Sequence, residues 1–204
     1  YADYIALGAV GSTALLVSLF TGILIGMGAG VNVRTAHQLG AEKTSGSSET
    51  VARTVYSGLI VCLIIGIILC LVCNIFARPM LETLKTKDEL IESAVLYLKI
   101  YALGMPAMAV YNFGNGVLSA CGETKKPLVY LSIAGVLNVI LNIFFVVVCK
   151  KAADGVAIAS VIAQYLSASM IMCHLLRRKD SCKLRLSNRY FDTSACGGVL
   201  MIGI

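Results

Sequence analysis

Long apolar stretches alternate with short polar ones along this chain. Five runs carry no Asp, Glu, Lys or Arg: 4–33, 54–77, 100–122, 127–149 and 155–176. A helix needs about 20 apolar residues to cross a bilayer, so each run is long enough. The pattern predicts spans at about 4–33, 54–77, 96–122, 127–149 and 155–176, and a sixth apolar run opens near Thr193. GAEKTSGSSET, after the first span, is polar and rich in turn formers, which predicts a loop. ARPMLETLKTKDELIESAVLYLK is charged and amphipathic. It predicts a short surface helix and then a helical extension into the third span. Thr86 and Glu89 there have capping-box spacing. In the third span Pro106 follows Gly104; proline removes a backbone donor, so a kink and a flexing point are expected at that pair. Gly22, Gly26 and Gly30 recur every four residues, a stripe along which a second helix can approach. Backbone groups facing lipid must bond within their own segment. The fold class is therefore all-α, a polytopic membrane helical bundle.

Composition agrees. Hydrophobic residues make up 58% of the chain and charged residues 14%, against roughly 25% charged in a soluble domain. The charges are also unevenly placed. The loops 34–53, 123–126 and 177–192 hold eleven of the 17 Lys and Arg. The positive-inside rule puts those three loops in the cytoplasm. The basic run RRKDSCKLRLSNR serves orientation and attraction to anionic lipid, and no nucleic-acid partner is implied. Cys62, Cys70, Cys73, Cys149 and Cys173 lie in or at the edges of spans, where cysteine acts as a small hydrophobe. No disulfide and no metal role is expected of the eight cysteines. Nothing basic precedes the first span, so no signal peptide is expected. The chain starts without Met and stops inside an apolar run, so a fragment of a longer protein is expected.

The polar residues inside the spans carry the chemistry. Asn138 and Asn142 sit one turn apart in LNVILN, and that spacing puts both side chains on one helix face. An amide at that depth needs a protein partner or a bound solute. Counting inward at 1.5 Å per residue places Asn142 and Ser160 roughly 10 Å deep, and Asn112, Asn138 and Gln164 roughly 14–18 Å deep. Each residue alone reads as interhelical glue, worth roughly 0.6–2 kcal/mol. Together they form a layer, which suggests one shared cavity. His37 and His174 lie at span ends and read as interfacial. No carboxylate lies deep in a complete span, and Asp3 is only at the edge of the first. Coupling to an ion gradient usually uses an intramembrane acid; that acid is then on another helix, or coupling does without one. No acid, base and nucleophile converge, so an enzyme is not expected.

Six pieces in series resemble the multidrug and toxic compound extrusion (MATE) transporters of the wider flippase superfamily. ALGAVGS and GAGVNVRTAHQLGA resemble the two ends of the second helix of such proteins. YLKIYALGMPAM resembles the start of the fourth, CGETKKP the turn after it, LNVILN the fifth and GVAIASVIAQ the sixth. FDTSACGGVLMIGI looks like the approach to the seventh. The resemblance implies a twelve-helix, two-lobe transporter. Residues 1–192 would be an incomplete N-terminal lobe ending in the basic linker 177–192, and 193–204 the start of the second lobe. It implies partners: the lipid bilayer, small amphipathic solutes, and the first helix and second lobe of the same protein. It implies a bacterial plasma membrane and export of amphipathic or cationic drugs and metabolites by antiport with Na⁺ or H⁺, with no other cofactor. Asn112 and Asn138 match fourth- and fifth-helix asparagines of the first-lobe cavity. Asn142 falls where prokaryotic members often have Asp, and Ser160 where they often have Thr. Asn138, Asn142 and Ser160 would offer oxygens to Na⁺, with the charge supplied by an Asp on the first helix. A lipid-linked oligosaccharide flippase of the same superfamily, or a non-transporting membrane scaffold, remain the alternatives.

Overall fold

In lipid a chain must satisfy its backbone within each segment, and this one does so with helices. The computed structural model describes residues 4–45, 48–151 and 153–203. Seven α-helices run through the described residues: α1 (Tyr4–Ser45), α2 (Ser48–Thr83), α3 (Asp88–Ala102), α4 (Met105–Ala120), α5 (Lys125–Ile143), α6 (Ala153–Arg177) and α7 (Thr193–Gly203). Four are long and apolar enough to span a membrane alone, and α3 with α4 passes the same test as one span bent by 44°. The chain is an integral membrane helical bundle. Asp3 lies outside the described residues.

The helices are longer than the apolar runs. GAEKTSGSSET is not a free loop, because α1 continues to Ser45 and α2 begins at Ser48. Nor does a separate surface helix follow the second span. α2 passes through Pro79 to Thr83, and Lys85 then turns the chain with φ 54°. The capping box does not form. Lys87 is the N-cap of α3 with no side-chain hydrogen bond, and the Thr86 hydroxyl is buried without a partner. Glu89 instead accepts a hydrogen bond from the Tyr4 hydroxyl at 2.8 Å.

Small residues set how closely the helices pack. α1 lies against α4 where Gly28 faces the Asn112 backbone; a Cβ on Gly28 would sit 2.7 Å from that carbonyl oxygen. Gly116 faces Gly28 in return, so the two backbones touch with no side chain between them. The predicted glycine stripe is partly used. Gly26 and Gly30 receive the α7 backbone at Gly203 and Val199, whereas Gly22 faces open space. On α6, Gly155, Ala157, Ala159 and Ala163 are buried, as the small-residue pattern anticipates. α5 is the least covered span, with only Pro127 and Ala134 buried.

The basic segments meet at one end. Arg178 pairs with Glu123 at 3.1 Å, the Ser181 hydroxyl donates to Glu42 at 2.5 Å, and Arg189 approaches Glu49 at 3.9 Å. Burial pushes the Glu123 carboxyl up. The hydrogen bond from Lys126 and the charges of Arg178, Lys126 and His174 outweigh it, leaving the carboxyl below its ordinary value. His174 lies 3.4 Å from Glu123 and 3.2 Å from the Tyr130 hydroxyl. The turn between α4 and α5 needs glycine: Gly122 has φ 78°, and the Glu123 amide reaches back to the Leu118 carbonyl at 2.9 Å. That closes α4 with the left-handed cap typical of helix C-termini. One expectation fails here, since Cys121 and Cys182 form a disulfide. Their separation of 61 residues hid the pair in the sequence. Tertiary packing alone brings the turn and the segment after α6 together.

These contacts generate a contrast. In the full-length protein, Gly116→Val should destabilise the fold by roughly 1–3 kcal/mol, because the added methyls have nowhere to go. Gly22→Val should stay within about 0.5 kcal/mol. Thermal melting followed by size-exclusion chromatography reads both; equal losses would show that the α1–α4 approach is not tight.

Candidate functional site

The cavity begins with a broken helix. Proline at position 106 has no N–H, and the chain leaves α3 through a tight turn at Leu103 and Gly104. The Leu103 amide bonds back to Ile100 at 3.1 Å and the Gly104 amide to Tyr101 at 3.0 Å. The Leu103 carbonyl, which a continuous helix would have paired, accepts the Tyr165 hydroxyl of α6 at 3.1 Å. Gly104 leaves a notch at the break, and the Gln164 side-chain amide fills it, since a Cβ on Gly104 would land on Gln164 Oε1. The expected flexing point is thus a bend held by two α6 side chains.

Above this bend, α3, α4, α5 and α6 surround a cavity of about 330 Å³. Tyr101 and Met108 wall one side; Leu131, Ala134, Gly135 and Asn138 line it from α5; Ser160, Ala163, Gln164 and Ser167 line it from α6. No charged residue is among them. Along the α5–α6 seam runs a ladder of hydrogen bonds. Asn142 Nδ2 donates to Asn138 Oδ1 at 3.1 Å, Asn138 Nδ2 donates to Ser160 Oγ at 3.3 Å, and Ser160 Oγ donates to the Val156 carbonyl at 3.0 Å. The i, i+4 spacing of the asparagines therefore does bring them together, on the face turned to α6. Beyond Ile143 the helix widens into a π-turn, Phe144–Val148. Such turns frequently sit beside functional sites.

Of the predicted residues, the structure brings Asn138, Asn142, Ser160 and Gln164 to one seam. It does not bring Asn112 there. The Asn112 amide donates to the Met108 carbonyl of its own helix at 2.9 Å, and its backbone faces Gly28 of α1. Depth counting carries no information about which way α4 is rotated. Sequence reasoning also missed Tyr101, whose hydroxyl meets both Gln164 and Thr21. Its position one turn before a Gly-x-Pro break was the available signal.

One acceptor of the ladder is left over. Asn142 Oδ1 is buried without a hydrogen-bond partner. An unsatisfied carbonyl costs about 1–3 kcal/mol. An oxygen acceptor of this kind suits a hard cation or a hydrogen-bond donor. Among the described residues no cluster of His, Cys, Asp and Glu could hold a metal, so any ion here would be held by neutral oxygens.

The notch has a direct consequence. Gly104→Ala should destabilise the protein by roughly 1–3 kcal/mol by displacing the Gln164 amide. Gln164→Ala in the same background should recover most of that loss. A double-mutant cycle on melting reads the coupling; strictly additive effects would mean that the two residues do not share the notch.

Comparison with known proteins agrees with this architecture. The MatE family model matches residues 2–144. Protein DETOXIFICATION 43 of Arabidopsis thaliana is 29% identical over 146 residues, 69% of this chain and 28% of that protein. A solved structure titled as the inward-facing conformation of a multidrug resistance MATE family transporter superposes with TM-score 0.88 at 21% identity, over 98% of this chain and 44% of that one. One titled as the outward-facing conformation gives 0.86 at 21% identity, over 99% and 44%. The chain thus spans less than half the length of these relatives. With the matched segment running from α1 through the Asn138–Asn142 pair, the chain belongs to the MatE family.

Proposed function

We propose that the full-length protein exports amphipathic, cationic drugs or metabolites in exchange for Na⁺ or H⁺, and that the Asn142–Asn138–Ser160 ladder holds the coupling cation. The observation that carries this reading is the orphaned carbonyl Asn142 Oδ1 at the end of a polar seam. A packed bundle gains nothing from it. A cation or donor arriving between α5 and α6 would satisfy it and could bind one state more tightly than another. The lobe has a similar fold in relatives titled inward-facing and outward-facing, at TM-scores 0.88 and 0.86. That supports rocking of lobes as near-rigid bodies about a central site.

The wall composition suits the solute. Tyr101, Met108 and Leu131 present apolar and aromatic surface, and the amides present hydrogen bonds without fixed charge. An oligosaccharide pyrophosphate would call for cationic side chains, and the lining has none. The ladder oxygens are neutral, so the attracting charge would come from a carboxylate on another helix of the full-length protein, as the resemblance implies.

Ethidium efflux from cells or vesicles carrying the full-length protein should depend on an imposed Na⁺ or H⁺ gradient. Efflux indifferent to both would sink antiport. Asn138→Leu should abolish the gradient dependence while the protein still folds, because it cuts the ladder in the middle.

Asn142→Asp makes a separate statement. A carboxylate in place of the orphaned amide should lower the half-saturating Na⁺ concentration for thermal stabilisation tenfold or more, equivalent to about 1.4 kcal/mol. No shift would remove Asn142 from the site.

A further inference from the structure

The end of the bundle where the basic segments meet holds a feature that transport does not explain. Cys121, at the end of α4, is bonded to Cys182 in the segment that leads from α6 to α7. Cys182 is 1% exposed and Cys121 is partly buried. The same segment is held by weaker ties. Arg178 pairs with Glu123, Ser181 bonds Glu42, and the Leu184 amide donates to the Leu175 carbonyl at 3.2 Å. Farther along, Ser57 of α2 fixes the other end, accepting the Asp192 amide at 2.9 Å. The segment is therefore strapped at both ends, and only the Cys182 strap is covalent.

Compartment decides what that strap is for. The loops at this end carry most of the basic residues, and the positive-inside rule places them in the cytoplasm. Thiols there are kept reduced, and the disulfides that do form are usually transient or redox-sensing. A structural disulfide has no stable place on that side. Access exists as well: a cavity of about 320 Å³ borders Cys121, Cys182, Glu42, Arg178 and Ser181. It admits a small disulfide to the more accessible sulfur.

We propose that Cys121 and Cys182 form a reversible dithiol–disulfide site that restrains segment 178–184 when the cytoplasm becomes oxidising. The oxidant is a low-molecular-weight disulfide. The Cys121 thiolate attacks it, forming a mixed disulfide and expelling one small thiolate. The Cys182 thiolate then attacks the Cys121 sulfur and expels the second. Two cysteines are oxidised, one small disulfide is reduced to two thiols, and the two cysteine protons pass to the leaving thiolates. In the reduced state Arg178, Ser181 and Leu184 keep the segment docked but free to open. In the oxidised state its first half cannot leave the turn between α4 and α5.

This inference rests on the cytoplasmic orientation and not on transport, so its readouts avoid flux. The full-length protein in membranes is treated with glutathione disulfide or with dithiothreitol, alkylated, and mapped by peptide mass. The expected result is a linked Cys121–Cys182 peptide after oxidation and alkylation of both residues after reduction. Amide exchange of 178–184 should slow at least tenfold on oxidation, and Cys182→Ser should show the reduced rate under both treatments. After reduction, a membrane-impermeant maleimide should reach Cys121 in inverted vesicles and not in right-side-out ones. Equal alkylation under both treatments overturns the proposal. So does exchange that ignores redox state, and so does labelling from the outer face, which would make the bond a permanent structural one.

Discussion

The carbonyl of Leu103 is the point on which the candidate site depends. A span that breaks inside a membrane leaves a polar backbone group with no water to turn to. Tyr165 supplies the missing donor, and in doing so it fixes α6 against the break. Gln164, one residue earlier, enters the notch that Gly104 leaves. With α6 held in that rotation, Ser160 comes one turn farther along to meet Asn138. The bend and the polar ladder are thus one construction. Pro106 opens the helix, α6 repairs it, and the repair sets which α6 residues face α5.

Much of this was readable from the chain, for physical reasons. Among the described residues each charge-free run falls within a helix long and apolar enough to span, or within the bent α3–α4 pair, because a bilayer tolerates few charges over about 20 residues. LNVILN announced two amides on one face because helical spacing is local. Pro106 announced the break for the same reason. What failed depended on rotation or on distance along the chain. The Asn112 amide bonds within α4 and its Cβ faces Gly28 of α1, a matter of how α4 is rotated, which only the Gly28–Gly116 contact between the two helices decides. Cys121–Cys182 is a long-range pair with no local signature. The capping box at Thr86 and Glu89 lost to a helix start one residue later, with Glu89 drawn to Tyr4 across the end of the bundle.

The two ends of the molecule are built differently. At one end, Arg178 and Glu123 tie the α4–α5 turn to the segment after α6. At the other, Arg78 reaches Glu92 and Lys151 reaches Asp154 between near neighbours, and the Tyr4–Glu89 hydrogen bond joins α1 to α3. Exposed pairs of this sort contribute little stability singly. Their value lies in position: the Arg178–Glu123 pair joins parts distant in sequence, and the Arg78 and Lys151 pairs trim the ends of single hairpins.

The π-turn at the end of α5 bears on how such a protein can change over evolutionary time. A π-turn holds one residue more than the α-helix it interrupts. Loss of one residue from 144–148 would let the helix close again as ordinary α. The wide turn absorbs that residue, so the chain on either side of it would keep its place. Asn138 and Asn142 lie before it. The hairpin joining α5 to α6 can therefore gain or lose a residue without dislodging the amides from their partners on α6. The bulge separates a stretch of sequence that is free to vary in length from one whose spacing must be kept.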